Sequence, residues 1–250
     1  MIRSALYRDP QPFDPARHRH KRLQPLTDYS IARHLHAVFL AATEFGGAAL
    51  SFPIVFVHTG ETLADAQPMV SPVALLGVAA NENLHVDGSR WDARYVPAFI
   101  RRFPFLTAGV PGKDKPTVFV DAAWPGFSDT EGEPLFDDEG KPTTLLRGAL
   151  KFLREFDAEQ QRTRRFCQRL VELRLLRELS LDADLSNGQS LKIEGIQAVD
   201  EDRLHALPEA DVLQLHRSGM LMLMHVHLAS LGNLQPLVER KAMRLAAARG

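Results

Sequence analysis

Residues 179–196, with the sequence LSLDADLSNGQSLKIEGI, predict a β-hairpin. Apolar residues recur on both sides of Asn187-Gly188, and Asn-Gly favours two-residue hairpin turns because both residues tolerate a positive φ. The two strands are adjacent in the chain and antiparallel, so no helical crossover is needed to join them. The fold is therefore expected to contain antiparallel sheet.

A long basic helix is predicted directly upstream of this hairpin. Thr143 can act as its N-cap, and apolar residues from Leu145 to Leu173 keep helical spacing. Such a helix is longer than most in globular proteins, so a break near Gln160 is also consistent with the pattern. Residues 141–178 contain ten Lys or Arg and five Asp or Glu, which gives the helix a positive charge.

Short strands are predicted in the first half of the chain. β-branched and aromatic residues indicate strands at 52–57 (FPIVFV), 73–79 (VALLGVA), 84–86 and 117–120. The first three follow one another closely, and the third ends at the turn-forming pair Asp87-Gly88. They are therefore expected to form an antiparallel meander.

Helices are predicted around these strands and after the hairpin. Thr27 or Asp28 can cap a helix over 29–43. In residues 91–105, WDARYVPAFIRRFPF, four aromatic residues are spaced by four, as on one helical face. Pro97 there requires either a helix start near Val96 or a kink. Further helices are expected from Asp200 to Pro208, over 209–231 and over 236–248.

The order of these elements predicts an α+β fold. A small antiparallel sheet would carry packed helices, the long basic helix and a C-terminal helical segment, because strands and helices do not alternate as in a parallel sheet. Four prolines within residues 1–25 predict an extended basic arm. Residues 26–250 are expected to form a single domain, with a possible sub-boundary near residue 140.

Composition limits the class of protein. The chain has 250 residues, of which 45% are apolar and 24% charged, and this excludes disorder for most of it. The net charge of -1 provides no overall attraction to nucleic acid or membrane, although the basic arm and helix keep a nucleic-acid contact as a less favoured alternative. The single cysteine, Cys167, excludes an internal disulfide.

No stretch of the sequence predicts a membrane-spanning helix. The best candidate, residues 37–57, is interrupted by Glu44, Gly46-Gly47 and Pro53. No apolar segment follows the basic N-terminus, as a signal peptide would require. We therefore expect a cytoplasmic protein, with export to the surface by an uncleaved route as the alternative.

Side chains suited to binding concentrate between residues 91 and 127. Arginines beside the aromatic segment could clamp a carboxylate or phosphate, and an aspartate directly follows a predicted strand. The candidate binding residues are Arg94, Tyr95, Arg101, Arg102, Asp121, Trp124 and Phe127. The arginines can also be a solvated rim and the aspartate a turn residue, and both of these interpretations are purely structural.

No motif indicates a catalytic residue, a metal or a cofactor. Histidines paired at 18/20, 34/36 and 225/227 are spaced by two, which directs their side chains apart on a helix. The acidic loop from Asp129 has Pro134 and Gly140 where a calcium loop needs Gly and Glu. The nucleophile elbow, the P-loop and the dinucleotide fingerprint are absent from the sequence.

Several segments of the chain resemble the bacterial SapC family. They are 52–57 (FPIVFV), 72–78 (PVALLGV), 81–105, 120–143 and 215–235, and the most specific is YVPAFIRRFPF at 95–105. Through its family name, the resemblance implies a link to paracrystalline bacterial surface layers. It implies no catalytic residue for this chain.

Two hypotheses of function follow. The first is an accessory or binding protein that acts through a protein or peptide partner, with residues 91–105 and 124–127 as the anchor, because aromatics and arginines dominate interfaces. The second is a small-molecule-binding protein or enzyme whose pocket lies between the sheet and residues 91–105. Its polar groups would be Arg94, Arg101, Arg102 and Asp121.

Overall fold

The computed structural model describes residues 6–63, 66–112, 115–184 and 190–247. The strands are β1 (Pro10–Pro12), β2 (Arg22–Leu23), β3 (Ala37–Phe39), β4 (Ile54–Thr62), β5 (Pro68–Leu75), β6 (Val86–Asp87), β7 (Arg90–Trp91), β8 (Phe105–Ala108), β9 (Thr117–Asp121), β10 (Phe127–Ser128), β11 (Glu133–Pro134), β12 (Leu176–Asp184) and β13 (Ser190–Val199). The helices are α1 (Phe45–Ala48), α2 (Ala98–Arg101), α3 (Thr144–Glu172), α4 (Glu201–His205), α5 (Glu209–Arg217), α6 (Met220–Ser230) and α7 (Leu234–Ala247). Three short 3₁₀ helices cover Tyr29–Ala32, Ala42–Glu44 and Leu231–Asn233.

The described strands form antiparallel sheets, and the α+β prediction is confirmed. The largest sheet has five strands in the order β12–β13–β4–β5–β3. The hairpin predicted at 179–196 supplies β12 and β13, while its Asn187-Gly188 turn lies outside the described residues. Two smaller sheets have the orders β1–β9–β8 and β10–β2–β11, and β6 pairs with β7.

Alternate residues of β4 supply two different cores. Ile54 and Phe56 are fully buried in the main core with Phe166 of α3, while Val55 packs on the other face with Leu237 and the rest of a cluster under α7. This is the period of two that a strand imposes on its side chains. Each such buried side chain contributes about 1.5–3 kcal/mol, so the sheet is stabilised from both faces.

Helix α3 connects the main core to a third cluster. Its N-cap is Thr143, as predicted, whose hydroxyl accepts a hydrogen bond from the Leu146 amide at 3.4 Å. Leu146 packs against the small sheets with Phe105 and Val120, while Phe166 packs in the main core. The alternative of a break near Gln160 is wrong, because α3 is one continuous helix that buries apolar residues in both clusters.

The helix predicted over 29–43 is also wrong. Tyr29–Ala32 forms one 3₁₀ turn whose cap is Asp28, β3 follows, and a second 3₁₀ turn begins at Ala42. Val38 of β3 is buried and pairs with Ala74 of β5 at the edge of the main sheet. Pairing with β5 satisfies the backbone and buries the apolar residues, and the sequence pattern could not show that partner.

Two further predictions are wrong, and the first of the two alternatives for residues 91–105, a helix start near Val96, is confirmed. β6 pairs with β7 across Asp87-Gly88 and not with β5, so the predicted three-stranded meander is wrong. Within 91–105 only α2 is helical, and it begins after Pro97, where proline is tolerated. The single helix predicted over 209–231 is wrong, because Gly219, with φ of +75°, separates α5 from α6.

The N-terminal segment is hydrogen-bonded into the small sheets. Gln11 of β1 pairs with Val120 of β9, and β2 lies between β10 and β11. The Tyr7 hydroxyl donates to the Phe105 carbonyl at 2.9 Å, which fixes the start of the segment. These contacts place residues 6–34 beside the turn that follows β9.

α6, with the sequence MLMLMHVHLAS, is apolar but has eleven residues, about 17 Å against the roughly 30 Å of a bilayer core. Within the part of the chain that the structure describes, no helix is both long and apolar enough to cross a membrane.

Candidate functional site

A cleft of about 470 Å³ lies where the N-terminal segment crosses the turn after β9. Its walls come from residues 6–8, 24–34 and 121–126, with Phe103 at the back. Two of the candidate binding residues, Asp121 and Trp124, line it. We call it the Trp124 cleft.

Asp121 holds two walls of this cleft together. Its side chain is buried, and Oδ2 accepts a hydrogen bond from the Arg8 amide at 3.1 Å. Oδ1 accepts from the Asp9 amide at 2.8 Å and from the Ala123 amide at 3.3 Å. Asp121 therefore positions the N-terminal segment and the turn, which is the structural interpretation of this residue.

Trp124 presents its indole to the cleft, whereas Phe127 belongs to the core. The Trp124 ring contacts Phe103 at 5.3 Å between centroids, and a Cβ on Gly126 would lie 2.4 Å from the indole. Only glycine at position 126 allows this approach. Phe127 is buried against the His18 ring at 5.4 Å, with the Lys21 ammonium 5.4 Å from its own ring.

The free hydrogen-bonding groups of the Trp124 cleft are mainly donors. The Arg8 guanidinium is exposed and has no hydrogen bond or ion pair with a described residue. Arg33 donates only its Nε, to the Ser30 carbonyl at 3.1 Å. Asp28 Oδ1 accepts from the Ser30 amide, and the two carboxylate oxygens of Asp121 accept from three amides.

Arg101 and Arg102 attach α2 to α3. The Arg102 guanidinium lies 4.4 Å from the Phe99 ring centroid and 4.8 Å from that of Phe156. The Arg101 guanidinium lies between Tyr95 and Phe152, at 5.6 and 5.3 Å from the ring centroids. Such cation–π contacts contribute about 0.5–2 kcal/mol each, which makes these arginines part of the helix packing.

Tyr95 belongs to a buried network centred on Glu44. Glu44 Oε1 accepts from the Tyr95 hydroxyl at 2.8 Å and from the Ala98 amide at 2.7 Å, while Oε2 accepts from the Ala41 amide at 2.9 Å. Burial, followed by the charge of Glu44, raises the pKa of Tyr95 to about 12, so its hydroxyl stays protonated. The network ties the start of α2 to the 3₁₀ helix at 42–44.

Close packing of Tyr95 on Gly47 gives a first testable prediction. A Cβ on Gly47 would lie 2.9 Å from the Tyr95 ring, whereas a Cβ on the adjacent Gly46 would meet nothing within 4 Å. Gly47→Ala is expected to lower the free energy of unfolding by about 1–3 kcal/mol in urea denaturation. Gly46→Ala, the matched control, is expected to raise it slightly or leave it unchanged, by at most about 1 kcal/mol. Equal effects of the two substitutions would contradict the packing.

Arg94 lies apart from the other candidates. It is exposed and lines a second cleft, of about 450 Å³, together with Trp91 and the buried His85. We call it the His85 cleft. The seven candidates thus do not converge. Asp121 and Trp124 share one cleft, Arg94 lines another, and the rest lie in helix packing or the core, namely Tyr95, Arg101, Arg102 and Phe127.

Glu44, Arg8 and His85 were missed by reasoning from the sequence. Glu44 had a usable signal, since it is the only charged residue within 37–57 and a lone carboxylate among apolar residues needs buried partners. Arg8 and His85 had none, because their neighbours come from distant parts of the chain.

The two histidines of α6 do not share a site, and the cysteine is buried. His227 is buried, whereas His225, two residues earlier on α6, is exposed. Burial raises the pKa of the Cys167 thiol to about 12, which keeps it protonated and unreactive. Among the described residues, no group of three or more His, Cys, Asp or Glu could hold a metal ion.

Comparison with known proteins identifies the family. The family model SapC matches residues 13–237, which cover most of the chain and both clefts apart from residues 6–8 and Arg240. No curated protein and no solved structure matches the chain significantly.

Proposed function

This chain belongs to the SapC family, and we propose that it is a binding protein that holds an acidic segment of a protein partner in the Trp124 cleft. One observation carries the proposal. The cleft combines an indole wall with the unengaged guanidinium of Arg8, while the carboxylates of Asp28 and Asp121 are bound by backbone amides. An acidic side chain or a terminal carboxylate would accept hydrogen bonds from the free guanidinium groups of Arg8 and Arg33.

The form of the cleft supports a peptide segment as its occupant. Half of the residues that line it are exposed, among them Arg8, Pro25, Arg33 and Pro125, so an extended segment can reach them from the surface. A half-buried tryptophan between such residues is the type of anchor that interface energetics favour, because aromatic and arginine side chains contribute most.

The proposal assigns the anchor to Trp124 and not to residues 91–105. Phe103 is buried, and Phe99 lies under the guanidinium of Arg102, so these rings stabilise the fold. We further propose that the partner is linked to the bacterial cell surface, in keeping with the family. We propose that the two proteins meet in the cytoplasm, with export of this chain as the alternative. The free thiol of Cys167 suits the reducing cytoplasm.

Charge reversal in the cleft tests the proposal. Random peptides displayed on phage and selected on the full chain are expected to be enriched in Asp and Glu. The double variant Arg8→Glu with Arg33→Glu is expected to raise the Kd of a selected peptide by at least about tenfold. Each substitution replaces a hydrogen-bond donor by a negative charge, which repels the acidic peptide. Arg17→Glu, an exposed residue outside the cleft, is the matched control and should change the Kd little. Peptides without acidic enrichment, or equal effects of the variants, would contradict the proposal.

The same variants extend the test to cells. A photo-crosslinking residue at Ala123, in the cleft, is expected to capture one protein, and capture should be lost in the double variant and kept in Arg17→Glu. The same residue at Arg154, exposed on α3, should not capture it. After crosslinking, the cells are separated into cytoplasmic and surface fractions. The fraction that contains the crosslinked adduct shows the compartment in which the two proteins meet. Equal capture from both positions would argue against the cleft.

A further inference from the structure

We infer that the His85 cleft is a binding site for a small organic monocarboxylate that also carries a hydroxyl or N–H group. This site is separate from the Trp124 cleft, and the inference does not depend on partner binding there. It gives the small-molecule hypothesis raised by residues 91–105 a place and a ligand class.

Three segments and His85 form the walls of this cleft. The segments are residues 50–51 after α1, residues 91–94 from the end of β7, and residues from 233 to 240 around the start of α7. The wall at Trp91 is held in place, because its indole Nε1 donates to the Tyr95 carbonyl at 2.8 Å. The wall at Asn233 is held by donation of its amide to the carbonyls of Ala49 and Phe52, at 2.8 and 3.3 Å. The cleft is therefore preformed.

His85 is a buried lining residue with one ring nitrogen unpartnered. Its exposed fraction is 3%, and its ring packs between Phe52 at 4.8 Å and Trp91 at 6.4 Å between centroids. Nδ1 lies 3.5 Å from the Asp92 carbonyl, and Nε2 has no hydrogen-bond partner among the described residues. Buried polar atoms are usually paired, and the His85 side chain lines the cleft, so a ligand group that enters beside the ring would supply the missing partner.

The protonation state of His85 defines what that group must be. Burial, followed by the nearby charge of Arg240, lowers the pKa of His85 to about 4, so the imidazole is neutral near pH 7. The Asp92 carbonyl can only accept, which places the ring proton on Nδ1. Nε2 is then an acceptor, and its partner must be a hydroxyl or an N–H group.

The charged residues of the cleft leave one positive charge in excess. Asp92 accepts a hydrogen bond from Arg240 at 2.8 Å, and this contact lowers the pKa of Asp92. Arg94 has no hydrogen bond or ion pair with a described residue. One unpaired guanidinium matches a monoanion, and a carboxylate can receive two parallel hydrogen bonds from it.

Apolar surface in the same cleft sets the body of the ligand. The side chain of Leu50 is 66% exposed at its edge, and the Trp91 ring is half-buried beside His85. A volume of about 450 Å³ is within the range of small-ligand sites. The expected ligand therefore has a compact aromatic or aliphatic body, a carboxylate that binds Arg94, and a hydroxyl or N–H group that donates a hydrogen bond to His85 Nε2.

Titration with 4-hydroxybenzoate, followed through the tryptophan indole signals, tests this site. The chain has two tryptophans, so a nitrogen–proton correlation spectrum gives two indole signals that Trp124→Phe assigns. The Trp91 signal is expected to shift with saturation while that of Trp124 stays in place. Benzoate lacks the donor and methyl 4-hydroxybenzoate lacks the charge, and each is expected to bind about tenfold more weakly. Inorganic phosphate should not reproduce the shift.

Two variants separate the roles of the lining residues. His85→Phe keeps a ring between Phe52 and Trp91 and is expected to abolish the preference for 4-hydroxybenzoate over benzoate. Arg94→Ala, at an exposed position, is expected to abolish the preference for the acid over its ester. Arg154→Ala is the matched control and should leave both preferences unchanged. A shift of the Trp124 signal alone, no shift at all, or an unchanged preference in Arg94→Ala would overturn the inference.

Discussion

Glu44→Ala is expected to lower the free energy of unfolding by about 3–5 kcal/mol. The carboxylate is buried and accepts hydrogen bonds from the Ala41 amide, the Ala98 amide and the Tyr95 hydroxyl. Alanine would leave these three donors without an acceptor in the protein interior, and each unpaired buried donor costs about 1–3 kcal/mol. Urea denaturation followed by circular dichroism measures the difference.

Two comparisons locate this effect in the network. Tyr95→Phe removes one of the three donors to Glu44, together with the exposed bond that Arg101 donates to the Tyr95 hydroxyl. Glu44 Oε1 keeps the Ala98 amide as a donor, so the expected cost is about 1 kcal/mol. Glu155→Ala, which removes an exposed carboxylate 3.6 Å from Lys151, is expected to cost less than about 0.5 kcal/mol. A Glu44→Ala protein within 1 kcal/mol of the parent would show that water replaces the carboxylate and that the network is not a determinant of stability.

Acid is expected to destabilise the protein through His227, by about 3 kcal/mol between pH 6.5 and pH 4. His227 is fully buried, its Nε2 accepts from the Val199 amide at 3.0 Å, and its Nδ1 faces the Ile54 carbonyl at 2.8 Å. Because an amide can only donate, Nε2 must carry the lone pair and Nδ1 the proton. Protonation of Nε2 would break the bond to Val199, and burial lowers the pKa of His227 to about 4.

The direction of the pH dependence follows from this lowered pKa. An unfolded histidine titrates near pH 6.5, so between pH 6.5 and about 4 the unfolded chain binds a proton that the folded chain does not. The contribution of His227 to stability is therefore constant well above pH 6.5, falls as the pH is lowered through this window, and levels off below about pH 4. The pKa of His85 is also about 4, so His85 adds a loss of the same sign.

Denaturation of histidine variants across pH isolates the contribution of His227. His227→Gln has no titrating group at position 227, so its free energy of unfolding should fall less steeply with acid than that of the parent. The difference in free energy of unfolding between variant and parent is therefore expected to decrease from pH 7.5 to pH 4.5. His225→Gln, an exposed position on the same helix, is the matched control and should keep the parent slope. Equal slopes in the two variants would show that His227 does not carry the linkage.

The two clefts would give this protein two independent functions. The Trp124 cleft offers free arginine donors to a partner segment, and the His85 cleft offers a neutral imidazole and one free guanidinium to a small molecule. They are lined by different residues, so substitutions in one should leave binding at the other unchanged. A small molecule that altered partner binding would then have to act through the shared core, where Phe52 and Phe103 lie.

Elements with strong local signals were determined by the sequence alone. The hairpin strands on either side of Asn187-Gly188, the cap at Thr143 and the strand before Asp121 depend on neighbours within a few residues, so their patterns predict them. The resemblance of residues 95–105 also identified the family without any structure. Local capping, turn and side-chain preferences act over a few residues and are therefore visible in the order of the letters.

The tertiary structure decided the edge strand β3 and the composition of both clefts. β3 forms because β5 lies beside it, and the Trp124 cleft forms because Asp121 binds the amide of Arg8, 113 positions away in the chain. His85 meets Phe52, Arg101 meets Phe152, and Glu44 caps α2 through Ala98. Each of these contacts compensates the entropy of bringing distant segments together, and only the assembled core supplies that free energy.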